Sequence, residues 1–171
     1  PRPFVIYGRP RSGTTLLVRL LDQVPGLRCD GELLHFGTVS PLGLMRRLPR
    51  RAGADIRAYG VKLLSYQLSE VQRIRRPIAF FDALREMGYV IIHLRRETWS
   101  QTLSLAKAQS SGVYFNKTAS GQARTIPKEI EIDPDRFMQA LAWNARMLEY
   151  EDAVMAQVPH LRVQYETGLR D

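Results

Sequence analysis

Short apolar runs alternate with helix-like patterns along most of the chain, beginning near the N-terminus. Residues 4–7 are apolar and rich in residues that favour strands, and leucines then recur at helical spacing from Leu16 to Leu21. We therefore predict a strand over residues 4–7 and a helix over residues 13–23, which ends before Pro25. The segment that joins them is a short glycine-containing loop.

Later apolar runs predict further strands. They lie over residues 27–29, 59–64, 89–94 and 161–166. The run over residues 89–94 is almost continuously apolar, which is typical of a parallel strand that is covered on both faces. Strands that are separated by helices in this way predict a parallel sheet in an α/β domain.

Helical patterns separate these strands. Residues 69–76 predict a short helix, which ends before Pro77, and residues 97–109 predict a longer one. The longest helix is predicted to begin at Asp133, an N-cap residue that precedes a proline. Its predicted core stripe consists of Phe137, Leu141, Met147, Leu148 and Met155. We assign Trp143, in the same helix, to packing rather than to stacking against a sugar.

The run over residues 78–82 has two interpretations. An apolar strand that ends in Asp82 would be similar to the segment that holds Mg²⁺ in nucleotide-hydrolysing enzymes. A helix-forming sequence follows, however, and Gly88 is placed to close it. We therefore favour Asp82 as the N-cap of that helix.

The loop at residues 8–15 has the sequence Gly-Arg-Pro-Arg-Ser-Gly-Thr-Thr. Such a loop directs backbone N–H groups and the positive end of a helix at one point, which suits a phosphate or sulfate group. A nucleotide-binding P-loop carries lysine directly after its second glycine, whereas this chain has Thr14 there and Arg11 as the nearby cation. We predict a P-loop-type three-layer α/β domain over residues 1–171, with a central, mostly parallel sheet flanked by helices.

Other charged residues fall near the same edge of the predicted sheet. Arg95 and Arg96 end one strand and precede a helix, which predicts a second anion site; the alternative is an ion pair with Glu97 in solvent. Glu32 follows the second strand, and ligands of such sheets lie beyond the carboxyl ends of the strands. Lys62 lies within a strand, so its ammonium either reaches an anion at the sheet edge or faces solvent.

The chain has 25 lysines and arginines against 17 acidic residues, which gives a formal net charge of +8. This excess agrees with several anionic ligands: nucleic acid, polyanionic glycans, anionic lipid headgroups or a phosphosulfate cofactor. Residues 37–58 form an irregular or partly helical insertion with a basic face. For this insertion a solvated surface is favoured over a site for an anionic acceptor or a membrane headgroup.

The composition is that of a globular protein, with 44% hydrophobic residues. Cys29 is the only cysteine, which excludes an internal disulfide and a zinc-ligand pattern and favours a reducing, cytoplasmic location. No apolar run approaches the length that spans a membrane, and no signal peptide is recognisable.

Four short motifs together resemble a known family. They are Pro-Arg-Ser-Gly-Thr-Thr-Leu-Leu at residues 10–17, Gly-Glu-Leu-Leu at 31–34, Gly-Val-Lys-Leu at 60–63, and Leu-Arg-Arg-Glu at 94–97 with Ser-Leu at 104–105. The combination resembles the sulfotransferases that use 3'-phosphoadenosine 5'-phosphosulfate (PAPS). Within them it is most similar to the bacterial carbohydrate sulfotransferases of the trehalose and nodulation-factor type. The similarity spans most of residues 3–110 and is weaker afterwards.

The resemblance implies roles for individual residues. The loop residues that would hold the 5'-phosphosulfate are Arg11, Ser12, Gly13, Thr14 and Thr15. The 3'-phosphate would be held by Arg96 and Ser104. Glu32 would be the general base that deprotonates the acceptor hydroxyl, and Arg11 would stabilise the leaving phosphate. His35 and His93 are competing bases, ranked second and third, and no metal would be required.

The implied reaction is in-line transfer of a sulfuryl group to a hydroxyl of a carbohydrate or glycolipid. The implied partners are a nucleotide donor and this acceptor, with peripheral membrane contact left open and no nucleic acid. Residues 112–132 would form a mobile loop over the site or a disordered surface loop. Relatives generally continue into a basic, glycine-containing segment after the last strand. None precedes Asp171, so either the chain is truncated or the cofactor is held less completely.

Two other classes of protein remain open at this point. A P-loop kinase or NTPase would require Mg²⁺ and bind ATP, and Thr14 argues against it. A non-enzymatic basic module would bind polyanions with a steep salt dependence but would not bind the nucleotide. No motif in the sequence names the acceptor.

Overall fold

The computed structural model describes residues 1–112 and 131–169 of the chain. Its strands are β1 (Arg2–Gly8), β2 (Leu27–Glu32), β3 (Ala58–Leu64), β4 (Val90–Arg95) and β5 (Leu161–Gln164). Its α-helices are α1 (Thr14–Asp22), α2 (Pro41–Arg47), α3 (Pro77–Glu86), α4 (Thr98–Ser111), α5 (Pro134–Met155) and α6 (Tyr165–Gly168). A 3₁₀ turn (Pro49–Arg51) follows α2, and a π-helical turn (Gln67–Val71) follows β3.

The five described strands run parallel in one sheet of order β2-β3-β1-β4-β5. The strand β1 is central, and its Val5 lies opposite Val61 of β3 and Ile91 of β4. The carboxyl ends of β1, β3 and β4 therefore meet at one edge, where the loop after β1 begins. The predicted α/β fold, with helices flanking a parallel sheet, is confirmed.

Alternate residues of β1 build a core on each face of the sheet. Val5 and Tyr7 belong to a buried cluster that is covered by α2, α3 and the end of α5. Phe4 and Ile6 belong to a second cluster, against which α1 packs. Because both faces of the strand are covered, its sequence is an unbroken apolar run rather than an alternating one. The result is the predicted three-layer arrangement.

Most predicted elements lie within one or two residues of their predicted bounds, as α1, β3, β4 and α4 do. The strand β2 is longer than predicted and continues to Glu32, with a register shift against β3 between Asp30 and Glu32. Residues 69–76 do not form the predicted helix. The π-helical turn Gln67–Val71 covers the start of this range, and residues 72–76 are not helical. These differences leave the order of the elements unchanged.

Both interpretations of residues 78–82 were wrong, because these residues lie inside α3. Asp82 is in the middle of the helix and pairs with Arg85 one turn later, at 3.5 Å. The helix begins six residues earlier than the N-cap interpretation requires, with Pro77 in its first turn. Phe81 and Leu84 are buried at helical spacing, which explains why the apolar run is a helix and not a strand. Gly88, with φ 87°, follows the helix end as predicted.

The insertion over residues 37–58 is partly helical, as predicted. The helix α2 occupies its middle and is capped by Ser40, whose Oγ accepts a hydrogen bond from the backbone N–H of Gly43 at 3.2 Å. The arginines of this insertion are all exposed, in agreement with a solvated surface. The loop predicted over residues 112–132 lies almost wholly outside the described residues.

The buried face of α5 differs from the predicted apolar stripe. The helix begins as predicted, and the Asp133 carboxylate accepts hydrogen bonds from the first backbone N–H groups. Its fully buried positions include the polar residues Asn144 and Glu151, at 1% and 0% exposure, besides Val154 and Met155. The stripe prediction was therefore correct at Met155 but missed two polar side chains that face the interior.

Candidate anion-binding site

A cleft of about 530 Å³ opens at the carboxyl edge of the sheet, beside the loop after β1. Its walls include most of the residues that the sequence singled out: Arg11, Gly13, Thr14, Thr15, Glu32, His35, Lys62, Arg96 and Ser104. Ser12 is instead fully buried, and its Oγ donates to the carbonyl oxygen of Arg9 at 2.7 Å. The fold thus brings both predicted anion-binding motifs into one cleft. Ser12 lies in the interior, where its hydrogen bond to Arg9 stabilises the conformation of the loop.

Two residues of the loop have a left-handed backbone. Arg11 has φ 64°, and Gly13, the N-cap of α1, has φ 99°. Gly13 also packs closely against α6, since a Cβ atom at this position would lie 2.4 Å from Cδ2 of Tyr165. Glycine is therefore required here both for the backbone conformation and for the close approach of α6.

We expect Gly13→Ala to reduce the free energy of unfolding more than Gly88→Ala does. Both glycines have positive φ, 99° and 87°, so each substitution strains the backbone by about 1–2 kcal/mol. Only at Gly13 would the new methyl group also overlap Tyr165, because nothing lies within 4 Å of a Cβ at Gly88. Urea unfolding of the two variants measures the difference. An equal loss in both would contradict the close packing of α6 on the loop.

Glu32 and Lys62 form an ion pair in the cleft. The Lys62 ammonium lies 2.6 Å from Glu32 Oε1 and donates to Thr15 Oγ1 at 2.9 Å. The other carboxylate oxygen of Glu32 accepts a hydrogen bond from Gln67 Nε2 at 2.8 Å. Lys62 is only 8% exposed, so its charge is poorly screened by solvent. Of the two expectations for Lys62, the structure supports the one in which its ammonium reaches the site.

His35 borders the same carboxylate. Its Nδ1 lies 3.7 Å from Glu32 Oε2 and 3.3 Å from the hydroxyl oxygen of Tyr66. Burial raises the pKa of Tyr66, and the negative charge of Glu32 raises it further, so this phenol stays protonated at neutral pH. His35, the competing candidate for the general base, therefore lies in the same cleft as Glu32 and beside its carboxylate.

Arg96 joins the end of β4 to the loop. Its Nη1 donates to the carbonyl oxygen of Arg11 at 3.0 Å, and its guanidinium lies over the Tyr165 ring, 4.2 Å from the centroid. The Nε atom of Arg96 is buried and has no hydrogen-bond partner in the part of the chain that the structure describes. Arg11 Nε in turn donates to Ser104 Oγ at 3.3 Å. The two motifs therefore contact each other directly.

The two sequence neighbours of Arg96 have other partners. Arg95 points to α5, where its Nη2 donates to Asp152 Oδ2 at 3.1 Å. Glu97 is the N-cap of α4, and its carboxylate accepts two backbone N–H groups at 2.7 Å each. These hydrogen bonds lower the pKa of Glu97. The carboxylate of Glu97 thus serves the helix terminus rather than the predicted alternative of an ion pair with arginine.

A buried ion pair behind the loop was not predicted from the sequence. Arg9 is 1% exposed, and its Nε lies 3.5 Å from Oε2 of the fully buried Glu151 of α5. Arg9 also donates to the backbone carbonyl oxygens of Asn144, at 3.0 Å, and of Arg96, at 3.1 Å. Burial lowers the pKa of Arg9, and the charge of Glu151 opposes this shift. Arg9 therefore connects the loop to α5 and to the residue that follows β4.

His93 lies in this buried cluster and does not line the cleft. It is 1% exposed, and its Nε2 lies 3.4 Å from Glu151 Oε2. Its ring also packs against that of Tyr7, with 5.7 Å between the centroids. The candidate base that was ranked third therefore packs in the interior, outside the cleft.

Three further features bear on the chemistry of the chain. Within residues 1–112 and 131–169, no group of three or more His, Cys, Asp or Glu side chains could hold a metal ion. None of the helices in these same ranges has the length and apolarity that a membrane span needs. Cys29 is buried, and burial raises the pKa of its thiol to about 12, so it packs as an apolar group.

The amino-acid sequence matches a family profile and is similar to known proteins. A family profile described as "Sulfotransferase family" matches residues 3–83. The chain is 33% identical over 186 residues to "Nodulation protein H" of Rhizobium tropici, an alignment that covers 91% of this chain and 70% of that protein. It is 26% identical over 183 residues to "Nodulation protein H" of Rhizobium meliloti (strain 1021), with coverages of 100% and 72%.

The chain therefore belongs to the sulfotransferase family. This confirms the family resemblance that was predicted from the four motifs, and it makes the protein a transferase. Three of those motifs fall within the matched residues 3–83. The fourth, with Arg96 and Ser104, lies beyond them and is tied to the loop by the contacts described above.

Proposed function

We propose that the protein transfers a sulfuryl group from PAPS to a hydroxyl of a carbohydrate or glycolipid. The observation that carries this proposal is the meeting of Glu32 and Lys62 with the loop at Thr15, within 2.6 and 2.9 Å of the Lys62 ammonium. A carboxylate beside an anion-binding loop is suited to activate a hydroxyl, and the ammonium is suited to stabilise negative charge. Membership of the sulfotransferase family supports the transfer chemistry.

The donor would be held by the loop and by Arg96. Backbone N–H groups at the start of α1, together with Arg11 and Thr14, would surround the 5'-phosphosulfate. The buried, unpartnered Nε of Arg96 and the hydroxyl of Ser104 suit the 3'-phosphate, because a charged donor is costly to leave unpaired. The left-handed backbone of Gly13 leads the loop into the first turn of α1. The residues present therefore fit the donor.

In the proposed mechanism the acceptor oxygen attacks sulfur in line with the leaving phosphate oxygen. A new S–O bond forms to the acceptor while the S–O bond to the 5'-phosphate breaks, and the proton of the acceptor hydroxyl moves to Glu32. Arg11, Lys62 and Thr15 stabilise the negative charge that develops on the leaving phosphate. Adenosine 3',5'-bisphosphate then leaves, and Glu32 releases its proton to solvent.

Lys62 supplies a cation that the loop lacks after its second glycine. A nucleotide-binding P-loop has lysine there, whereas this chain has Thr14. The Lys62 ammonium approaches the loop from β3 instead and contacts Thr15. When an anionic donor binds, this ammonium would turn from Glu32 toward the sulfuryl oxygens, and the carboxylate would become available to the acceptor proton.

Calorimetric titration with adenosine 3',5'-bisphosphate, without added metal, tests the donor site. We expect Arg96→Ala to weaken binding by about 10- to 100-fold, because charge-assisted hydrogen bonds to the 3'-phosphate are lost. The matched control is Arg95→Ala, whose side chain contacts Asp152 on the opposite side of the strand end. This control should bind the nucleotide as the wild type does.

Three results would contradict the proposal. Unchanged affinity in Arg96→Ala would remove the second anion site. Failure of the wild-type protein to bind the nucleotide at all would contradict PAPS as the donor. Binding of sulfated or phosphorylated polymers alone, with a steep salt dependence, would favour a non-enzymatic polyanion-binding module.

A further inference from the structure

A second and larger cavity adjoins the cleft. It has a volume of about 910 Å³ and lies between the π-helical turn after β3, the end of α4 and the first half of α5. Pro10, Tyr66 and Leu105 line both spaces, so the cavity continues into the cleft. Tyr66 lies 3.3 Å from His35, which in turn lies 3.7 Å from Glu32. A molecule in the cavity therefore has a short path to the proposed base.

Aromatic rings in fixed orientations form part of the cavity wall. Trp143 is held by its indole N–H, which donates to Glu70 Oε1 at 3.2 Å. Phe137 is held by an edge-to-face contact with Trp99, with 4.9 Å between the ring centroids. A flat, preoriented ring beside carboxylate and amide groups suits a polyhydroxylated ring, whose C–H face stacks while its hydroxyls form hydrogen bonds.

The charge of the cavity is opposite to that of the chain. Among its described lining residues, Glu70, Glu131 and Asp133 are acidic and Arg136 is basic. The Arg136 guanidinium already pairs with Asp133, at 3.6 Å. The described part of the lining is therefore negative overall, although the whole chain carries a formal charge of +8. An anionic ligand would meet charge of its own sign here and be disfavoured.

We propose, on the basis of the sulfotransferase function proposed above, that this cavity is the acceptor site and selects uncharged or amino-bearing sugars over uronic acids. Trp143 stacks against the sugar ring, and Glu70 both orients the indole and repels a carboxylate on the ligand. The basic residues of the cleft, Arg11, Lys62 and Arg96, then contact the donor. The acceptor instead contacts the acidic residues that line the cavity. This proposal gives Trp143 a role in binding, whereas the sequence favoured a role in packing.

Tryptophan fluorescence gives a direct test, since the chain has two tryptophans. In a Trp99→Phe background, which keeps an aromatic ring against Phe137, Trp143 is the sole reporter. This protein, saturated with adenosine 3',5'-bisphosphate, is titrated with methyl glycosides of glucose and galactose, their 2-amino counterparts and their uronates. We expect saturable changes in emission with the neutral and amino sugars. The uronates should bind about fivefold more weakly or worse.

Glu70→Gln tests the origin of the selectivity. Glutamine keeps an oxygen that accepts from the Trp143 indole but removes the charge, so it should bring the affinity for uronates close to that for neutral sugars. Trp143→Ala lacks the fluorescent reporter and is titrated by calorimetry instead; it should bind every sugar about tenfold more weakly while its nucleotide affinity is unchanged. The unchanged nucleotide affinity is also evidence that this variant is folded.

The outcomes separate this inference from the proposed function. Equal affinity for uronates and neutral sugars would overturn the charge selectivity. An unresponsive Trp143 in protein that binds the nucleotide would overturn the acceptor site and leave the donor site standing. Protein that does not bind the nucleotide would overturn the proposed function and, with it, the acceptor site.

Discussion

Replacing Glu32 with glutamine is expected to reduce sulfuryl transfer by about 10²- to 10⁴-fold, the usual contribution of a positioned general base. Glutamine has the shape of glutamate but accepts no proton at neutral pH. It also no longer offers Lys62 a charged partner, so the ammonium is left to any bound anion. The affinity for adenosine 3',5'-bisphosphate should therefore stay the same or rise while turnover falls.

Transfer of the radioactive sulfuryl group from labelled PAPS and calorimetry of the product nucleotide measure these two effects. Asp82→Asn is a suitable control, because it removes a carboxylate from the exposed surface of α3, where its partner is Arg85. His35→Ala should reduce transfer less than Glu32→Gln does. Normal turnover by Glu32→Gln would exclude this carboxylate as the base, and a larger loss in His35→Ala would assign that role to the histidine.

Replacing Glu151 with alanine is expected to lower the free energy of unfolding by about 3–5 kcal/mol, because it leaves a buried charge without its partner. Arg9 is 1% exposed, and the carbonyl oxygens of Asn144 and Arg96 to which it also donates carry no charge that could replace that of Glu151. Since stabilities of domains are about 5–15 kcal/mol, this single change would remove a large fraction of the total.

Asp152→Ala provides the matched control at the adjacent position. Asp152 pairs with Arg95 at 3.1 Å, but its side chain is 47% exposed. Exposed pairs contribute about 0–1 kcal/mol, so this variant should unfold almost as the wild type does. Denaturant unfolding followed by far-UV circular dichroism compares the two. A loss of stability in Glu151→Ala no greater than in Asp152→Ala would contradict the structural role of the buried pair.

The fold could be predicted largely because its signals are local. The apolar run of β1, the leucine spacing of α1 and the Asp133-Pro134 start of α5 each lie within a few neighbouring residues. The residues 78–82 show where such signals fail, since a short apolar run that ends in Asp82 satisfies both a strand and a helix. Only the packing of Phe81 and Leu84 against the sheet decides between them.

The candidate site was predictable where a motif carries its residues and not elsewhere. The loop and Glu32 stand in recognisable patterns, and they line the same cleft. Arg9 and Glu151 carry no such pattern, because a charge in a loop and a charge on a helix are ordinarily solvated. Their burial depends on how α5 lies behind β1 and β4, which is a property of the tertiary structure.

The central position of β1 has a consequence for how the protein folds during synthesis. Among the five described strands this one is made first, yet it pairs only with β3, which begins at Ala58, and with β4, which begins at Val90. The strand β2, which is made next, pairs with β3 and not with β1. A nascent chain that ends before Ala58 therefore has no sheet to hold the anion-binding loop. Closing these distant pairings is slow compared with local folding, so the loop takes its final shape only after β3 and β4 have emerged from the ribosome.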